Sequence, residues 1–184
     1  TGVQTCALPI YDPALVVECL NGYRKKEKMP SNLSEMVVPI GVAEVVKVGS
    51  DITVVSYGST LHLCLNAADE LANMGISVEV VDAQTLLPFD TTGVSASSVQ
   101  KTNRLVVVDE DVEGGASAYL LDQIINKQGA FNYLDAQPIT VTSKPHLPAY
   151  STDGDYFSKP SVDDIVEAVY AVMSEGNPSR FPKI

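Results

Sequence analysis

The chain has 184 residues, of which 45% are hydrophobic and 19% are charged, and its formal net charge is -11. This composition is that of an ordinary folded protein, and the length is enough for about one domain with its own core. The acidic excess disfavours nonspecific binding to nucleic acid or to an anionic membrane surface, because both carry charge of the same sign. A basic partner is favoured instead.

The cysteines and histidines show no pattern typical of a covalent framework or a metal site. Cys6, Cys19 and Cys64 are odd in number and lack metal-ligand spacing, so neither disulfides nor zinc are indicated. A reducing cytoplasm is the simplest compartment. His62 and His146 lie far apart in the sequence, and we expect both to be structural or exposed.

The amino-terminal part reads differently from the rest. Residues 1–10, TGVQTCALPI, resemble translated sequencing-adapter sequence, and we predict that they are not native. A strand is predicted over residues 14–17, followed by a turn at Asn21 and Gly22. Residues 24–40 hold the basic cluster RKKEK and two prolines that bracket SNLSEMVVP, which predicts an extended linker.

A regular alternation of strands and helices begins at residue 52. A β-branched strand is predicted over residues 52–55, and Ser59 or Thr60 can cap the helix that follows. Gly75 is predicted to end that helix, and residues 76–81 supply the next strand. The predicted buried stripe of the helix has the spacing of one helical face: Leu61, Cys64, Leu65, Ala68, Leu71 and Ala72.

The alternation continues to the end of the chain. We predict a helix over residues 91–101 capped by Asp90, strands over residues 104–109 and 139–142, and an irregular aromatic stretch over residues 144–160. A final helix is predicted to begin after Ser161 and to end at Gly176. The predicted fold is therefore α/β, with an open, mostly parallel sheet and helices on both faces.

Four carboxylates follow the central predicted strand. Asp109, Glu110, Asp111 and Glu113 come between the apolar run LVVV and a pair of glycines. The carboxyl ends of parallel strands are where open α/β sheets usually keep their ligands. These side chains are either a functional acidic rim or a solvated turn whose charge is favourable near a helix N-terminus.

The sequence carries no self-contained active site that we can identify. The glycines needed to cradle a phosphate are absent after the predicted strands, and the EDVEGG turn places carboxylates where a phosphate would lie. No GxSxG elbow is present, and no serine or cysteine stands beside a recognisable histidine partner. We predict no catalytic, cofactor-binding or metal-binding residue in this chain.

Several segments, in order, resemble one family. They are DPALVVECLNGYR, GSDITVVSYGS, ISVEVVDAQTLLPFD, KTNRLVVVDEDVEGGASAYL and YFSKPSVDDIVEAVYAVM. From residue 11 onward the chain is similar to the C-terminal part of the β subunit of 2-oxo acid dehydrogenase E1 components, within the transketolase superfamily. It looks closest to the 2-oxoisovalerate (branched-chain) type, with the pyruvate type as near neighbour. Many relatives have His-Glu where this chain has Asp109-Glu110.

The resemblance implies a division of the chain. Residues 11–23 would end a truncated pyrimidine-binding domain, residues 24–40 would be a linker, and residues 41–184 a transketolase C-terminal domain. The parent enzyme would use thiamine diphosphate and Mg²⁺, neither of which we expect this chain to bind alone. Its expected partners are the E1 α subunit or domain, a second β subunit, and the basic subunit-binding domain of the E2 acyltransferase.

The resemblance makes the acidic turn a candidate partner interface. Glu110, Asp111, Glu113 and the terminal carboxylate of Ile184 are the candidate residues, in contact with another subunit or with E2, or else only with solvent. Two alternative functions stay open: a non-catalytic α/β binding or scaffold module, and the same domain of a transketolase or deoxyxylulose-phosphate synthase.

Overall fold

A computed structural model describes residues 13–19, 22–23, 26, 28–29, 31–147 and 150–183 of the chain. The strands are β1 (Glu44–Lys47), β2 (Ile52–Ser56), β3 (Val78–Asp82), β4 (Leu105–Val112) and β5 (Ile139–Ser143). The α-helices are α1 (Thr60–Asn73), α2 (Val94–Thr102), α3 (Ala116–Leu121), α4 (Thr152–Ser158) and α5 (Val162–Gly176). A π-helical turn (Asp122–Lys127) extends α3, and 3-10 turns occupy Leu33–Glu35 and Ala130–Tyr133.

The five strands form one sheet in the order β1-β3-β2-β4-β5. β2 lies parallel to both β3 and β4, and β4 lies parallel to β5. Only β1 runs antiparallel within this sheet; it pairs with β3, and a register shift interrupts the pairing between Val45 and Lys47. The prediction of an open, mostly parallel sheet is confirmed.

Helices cover both faces of the sheet, as predicted. Successive residues of a strand point to opposite faces, so Val54 and Val55 of β2 enter different cores. On the Val54 side, α1 and α5 contribute the buried Leu71 and Val169. On the opposite side, α2, α3 and the π-helical turn contribute the buried residues Val99, Leu120 and Ile124. Burial on both faces also explains why Leu105 to Val108 of β4 form a continuous apolar run.

The ends of α1 illustrate how local sequence sets the fold. Gly75 follows the helix with φ +79°, a left-handed conformation that glycine adopts without a Cβ penalty. The N–H groups of Gly75 and Ile76 donate to the carbonyls of Ala72 and Leu71, which closes a Schellman motif. The predicted end of this helix is therefore confirmed. At its start, Ser59 occupies the N-cap position but makes no side-chain cap hydrogen bond.

Two further helix starts follow the predicted chemistry. Asp90 accepts hydrogen bonds from the N–H groups of Val94 (3.0 Å) and Ser95 (2.7 Å), although the left-handed Gly93 delays the start of α2 to Val94. Ser161 and Asp164 form a reciprocal capping box at the start of α5.

A buried polar network lies between the sheet and α2. The Thr53 hydroxyl on β2 is within hydrogen-bond distance of the hydroxyls of Ser98 (2.6 Å) and Thr102 (2.7 Å). Beside Thr53 on β3, the buried Glu79 accepts from Lys101 and from the backbone N–H of Gly49 (3.2 Å). The carboxylate is buried but has partners, which is the condition under which a charge is tolerated inside a protein.

Three predictions of secondary structure were wrong or incomplete. Residues 14–17 are not a strand: residues 13–19 are irregular, and none of them pairs with a strand of the described structure. Without a neighbouring strand their backbone groups have no ladder to join. β1 was missed because four residues give too short an alternation. The irregular stretch 144–160 contains α4. Residues 1–10 lie outside the described part of the chain.

Candidate partner-binding site at the carboxyl edge of the sheet

The four parallel strands end at one edge of the sheet, and β4 reaches furthest. The sequence predicts that its strand stops at Asp109, but pairing continues until Val112 faces Ser143 of β5. Glu110 and Asp111 therefore belong to the exposed end of a strand instead of a loose loop. Glu113 follows directly. We call Glu110, Asp111 and Glu113 the acidic turn.

Asp109 is separated from the acidic turn by its burial. Asp109 is 0% exposed. Its carboxylate accepts hydrogen bonds from the N–H of Ser117 (2.8 Å), the N–H of Asp111 (3.0 Å) and the hydroxyl of Tyr57 (2.7 Å). Burial raises the pKa of Tyr57, and its hydrogen bond to Asp109 raises that pKa further. Asp109 thus orients the turn, the start of α3 and the Tyr57 ring.

Glu110 joins three elements of the fold. Its carboxylate lies 2.7 Å from the ammonium of Lys159, which precedes α5, and accepts from the hydroxyl of Ser59 at the start of α1. Burial alone would raise the pKa of Glu110, but the hydrogen bonds from Lys159 and Ser59 outweigh it, so the net pKa is lowered. Ser59 therefore bridges to the acidic turn instead of capping its own helix.

The other two carboxylates of the turn face solvent. Asp111 is exposed and accepts from the N–H of Val112 (2.8 Å). Gly115 provides the room for it, because a Cβ at that position would lie 2.4 Å from the Asp111 carboxylate oxygen. Glu113 is exposed. The structure thus brings three of the predicted interface residues together, while Ile184 lies outside the described residues.

A second exposed surface borders the acidic turn. It consists of Lys144, His146, Leu147 and Phe157, and we call it the aromatic strip. The Lys144 ammonium lies 3.6 Å from the centroid of the Phe157 ring, and the His146 ring stacks on the same ring with 5.7 Å between centroids. Leu147 is 91% exposed and Tyr150 is 100% exposed. An aromatic surface left this open is typical of an interaction site.

The groups that hold this site together were missed by sequence reasoning. Tyr57, Ser59 and Lys159 are separated from their carboxylate partners by 49 to 52 positions. No local motif marks such pairs, because the sheet topology alone brings them together. The nearest sequence signal is that strands β2 and β4 are neighbours in a doubly wound sheet.

Asp82, at the end of β3, is a further titratable group on this edge. Burial raises its pKa above the ordinary value, and the charge of Glu44 acts in the same direction. The N–H of Gln84, 3.0 Å from its carboxylate, and the charge of His62 lower the pKa and offset this only in part. The sequence identifies Asp82 only as the end of a strand.

The remaining chemistry of the described residues is limited. Burial raises the pKa of the Cys64 thiol to about 12, which leaves it protonated at neutral pH and a poor nucleophile. Within the described ranges, no three His, Cys, Asp or Glu side chains are grouped so that they could hold a metal ion. No helix in the same ranges is long and apolar enough to cross a membrane.

A shallow polar cleft of about 370 Å³ opens at the start of α2, lined by residues that include Asp90, Ser97 and Gln128. The N–H groups of Val94 and Ser95 already donate to Asp90, and the N–H of Ala96 donates to Gln128 (3.2 Å). The helix N-terminus is therefore satisfied from within the chain, and a carboxylate stands where an anion would bind.

These features define an α/β domain that exposes acidic and aromatic side chains at one edge of its sheet. A family model described as the C-terminal domain of transketolase matches residues 41–165. The chain belongs to the transketolase C-terminal domain family.

Three relatives to which the chain is similar are β subunits of pyruvate or 2-oxoisovalerate dehydrogenases. The chain is 38% identical over 172 residues to the pyruvate dehydrogenase E1 component subunit beta of Rickettsia conorii, covering 93% of this chain and 51% of the relative. It is 33% identical to the Rhizobium meliloti protein of that name, covering 93% and 36%. It is 36% identical over 149 residues to the 2-oxoisovalerate dehydrogenase subunit beta of Bacillus subtilis, covering 80% and 44%.

Among solved structures, the fold matches a chain described as a split gene transketolase in an inactive β4 tetramer, with a TM-score of 0.66 and 23% identity. The match covers 77% of this chain and 45% of that one. The chain therefore spans about half, or less, of the proteins to which it is similar. Pyruvate-type and branched-chain-type relatives match at similar identity, so these matches do not separate the two subtypes.

Proposed function

We propose that this chain is the C-terminal part of the β subunit of a 2-oxo acid dehydrogenase E1 component. The parent enzyme would decarboxylate a 2-oxo acid, either branched-chain or pyruvate, and transfer the acyl group to the lipoyl group of E2. The relatives that carry E1 β names and match up to 93% of this chain support the proposal. The motifs that occur in the family's order, such as KTNRLVVVDEDVEGGASAYL around β4, also support it.

This part of the subunit contributes contact surfaces to the enzyme. The observation that supports this role is the exposure of charged and aromatic side chains at the carboxyl edge of the sheet. Asp109 is fully occupied by three donors from its own chain. The acidic turn and the aromatic strip beside it are open to solvent. Charged and aromatic side chains that are exposed on a rigid edge are suited to recognition by another protein.

The cofactors of the parent enzyme, thiamine diphosphate and Mg²⁺, do not fit the residues described. A diphosphate needs free backbone N–H groups and positive charge, whereas the N–H groups at the start of α2 are used within the chain. At the carboxyl edge the acidic turn would repel a diphosphate. We therefore assign cofactor binding to other parts of the E1 component.

The partners follow from charge and from the family. The net charge of -11 favours a basic partner such as the subunit-binding domain of E2, and disfavours nucleic acid and anionic membranes. The E1 α subunit or domain and a second β subunit complete the assembly. The acidic turn and Ile184 are the candidate contact residues. The cytoplasm is the proposed location.

The proposed domain division also accounts for apolar surface in the amino-terminal region. The family match begins at residue 41, which agrees with a linker over residues 24–40. Residues 13–40 expose several large side chains, among them Leu15 (92%), Val17 and Val37. These would be covered by the pyrimidine-binding domain, of which residues 11–23 would be the end. Residues 1–10 are the adapter-like segment of this division.

Two experiments test the proposal. Extending the reading frame upstream in the source genome should reveal the rest of a pyrimidine-binding domain. A start codon just before residue 11 would favour the scaffold alternative. The purified chain should show no decarboxylation of branched-chain 2-oxo acids or pyruvate with thiamine diphosphate and Mg²⁺ present. Turnover by this chain alone would overturn the assignment of cofactor binding elsewhere.

A further inference from the structure

An exposed apolar surface lies where the chain enters the domain, on the flank of the sheet formed by β1 and β3. The amino end of β1 meets the carboxyl end of β3 there, because Glu44 and Asp82 are register partners. The segments before β1 and after β3 include four exposed apolar side chains: Val37, Val38, Ile40 and Leu87. We call these four residues the corner patch.

Gly41 joins the two segments that carry the corner patch. Its N–H donates to the hydroxyl of Thr85 (3.1 Å), in the segment after β3. Gly41 has φ +77°, and a Cβ at this position would lie 2.9 Å from the Pro88 ring. The patch residues next to this contact are Ile40 and Leu87, and both therefore lie at one corner of the domain.

Leu87 is exposed although the residues around it are anchored. Leu86 before it packs partly against the core, and Phe89 two residues after it is buried in the same core. Leu87 itself is 77% exposed. Its exposure is therefore that of a side chain on an ordered backbone. A surface that is ordered before binding loses less conformational entropy when it binds.

The corner patch has the composition of a contact surface. Its side chains are apolar, and polar groups lie at its border, where the Gln84 amide donates to the Glu44 carboxylate (2.7 Å). An apolar centre with a polar rim is the usual arrangement of protein interfaces. The patch is also distinct from the acidic turn, since that turn follows β4 and strand β2 lies between β3 and β4.

The place of the patch in the chain identifies what would cover it. The family match begins at residue 41, and three of the four patch residues come just before that boundary. The chain covers 51% and 36% of two of the relatives, so these relatives contain a further region of similar or greater length. A domain that is tethered beside the patch has a high effective concentration there, so a modest apolar contact is enough to dock it.

We propose that the corner patch is the surface on which the preceding domain of the same β subunit docks, with Leu87 at the centre of the contact. The inference rests on the proposed function, in which residues 11–23 end a pyrimidine-binding domain, and it names the surface that receives that domain. Interfaces between domains of one chain bury about 600–1,500 Å². The patch is then the apolar centre of a contact that also includes the linker.

Hydrogen–deuterium exchange with mass spectrometry can compare this chain with the full-length β subunit encoded by the extended reading frame, without the α subunit. Peptides that span residues 36–43 and 83–91 should exchange about tenfold or more slowly in the full-length subunit, because docked segments exchange only when the contact opens. Leu87→Asp should remove this protection. Leu147→Asp is the matched control, since Leu147 is also exposed but lies in the aromatic strip, and it should leave the protection unchanged.

Two controls separate docking from other effects of the substitution. In this chain alone, Leu87→Asp should leave the exchange and the circular dichroism spectrum unchanged, because Leu87 is already exposed to solvent. Leu87→Ala, which introduces no charge, should give a smaller loss of protection in the full-length subunit. The protection should also be equal at about 1 and 100 µM protein, because docking within one chain does not depend on concentration.

The outcomes separate this inference from the proposed function. Equal exchange in the two chains overturns the inference, and so does protection that survives both Leu87 substitutions. Protection that grows with concentration, or that requires the α subunit, also overturns it, because another chain then covers the patch. In each of these cases the E1 β assignment stands. An upstream reading frame without a preceding domain overturns both the assignment and the inference.

Discussion

Glu110 on β4 and Lys159 before α5 form an ion pair, with 2.7 Å between the carboxylate oxygen and the ammonium nitrogen. The pair joins the central strand to the segment that carries the aromatic strip. Ser59 at the start of α1 donates to the same carboxylate. One side chain of the acidic turn thus has a structural role that the sequence does not reveal, while Glu113 remains exposed.

The first prediction concerns this pair. Glu110→Gln should lower the free energy of unfolding by about 0.5 kcal/mol, a small effect because both side chains are partly exposed to solvent. Urea denaturation measures the change. Glu113→Gln is the control and should leave stability within experimental error. A loss above about 2 kcal/mol would mean that Glu110 is far more important to the fold than an exposed pair allows.

The second prediction separates Asp109 from its neighbours. Asp109→Asn should destabilise the protein by about 1–3 kcal/mol, because the amide cannot accept all three hydrogen bonds and leaves a buried donor unsatisfied. Asp111→Asn, at the exposed position two residues later, should cost less than about 0.5 kcal/mol. Equal losses in the two variants would contradict the distinction between a buried positioning residue and an exposed one.

The third prediction is a pH dependence. Burial would raise the pKa of Glu79, but hydrogen bonds from Lys101, Ser98 and Gly49 outweigh it and lower the pKa below 4.5. A lowered folded-state pKa adds stability above the unfolded-state pKa, and that stability is lost as the pH falls through the folded-state value. The difference in unfolding free energy between wild type and Glu79→Gln should therefore decrease as the pH falls below about 4.5.

Denaturation curves at several pH values measure this difference. Glu70→Gln, at an exposed position on α1, is the matched control for loss of a surface carboxylate and should change the unfolding free energy by less than about 0.5 kcal/mol. If the Glu79→Gln difference grew on acidification, the carboxylate would be stabilised by protonation, and the role assigned to Lys101 would be wrong.

The fourth prediction concerns thiol reactivity. Cys64 is buried and its pKa is raised to about 12, so iodoacetamide should fail to alkylate it at neutral pH in the folded protein. Peptide mass spectrometry should find the modification only after denaturant is added. Rapid alkylation under native conditions would show that α1 opens readily or that the thiol is less buried than the structure indicates.

The sequence predicts the layers of this fold well. The apolar runs of β2, β3 and β4 and the stripes of α1 and α5 were all identified, because burial against a sheet imposes a period that can be read locally. Strand β1 was not identified, because four residues at the edge of the sheet are too few to show a clear alternation of buried and exposed side chains. The prediction of a strand at residues 14–17 was wrong, because a strand forms only where a neighbouring strand is available to pair with it, and strand propensity alone does not provide one.

The site was predicted less completely than the fold. The carboxylates of the turn were named from sequence, but four similar residues proved to have different roles. Asp109 is buried and Glu110 is paired, whereas Asp111 and Glu113 are exposed. These differences depend on Tyr57, Ser59 and Lys159, which reach the turn through long-range topology. The contact role of the turn stays a prediction.

The most direct test of the proposed function is a calorimetric titration of the chain with the isolated basic subunit-binding domain of a 2-oxo acid dehydrogenase E2. Binding is expected, with an affinity that falls as salt rises, because exposed charge pairs are screened over ~10 Å at 0.1 M ionic strength. Domains from pyruvate and branched-chain complexes should be compared, and tighter binding of one would indicate the subtype. Absence of binding to both, or binding that is independent of salt, would contradict the proposal of an acidic assembly domain.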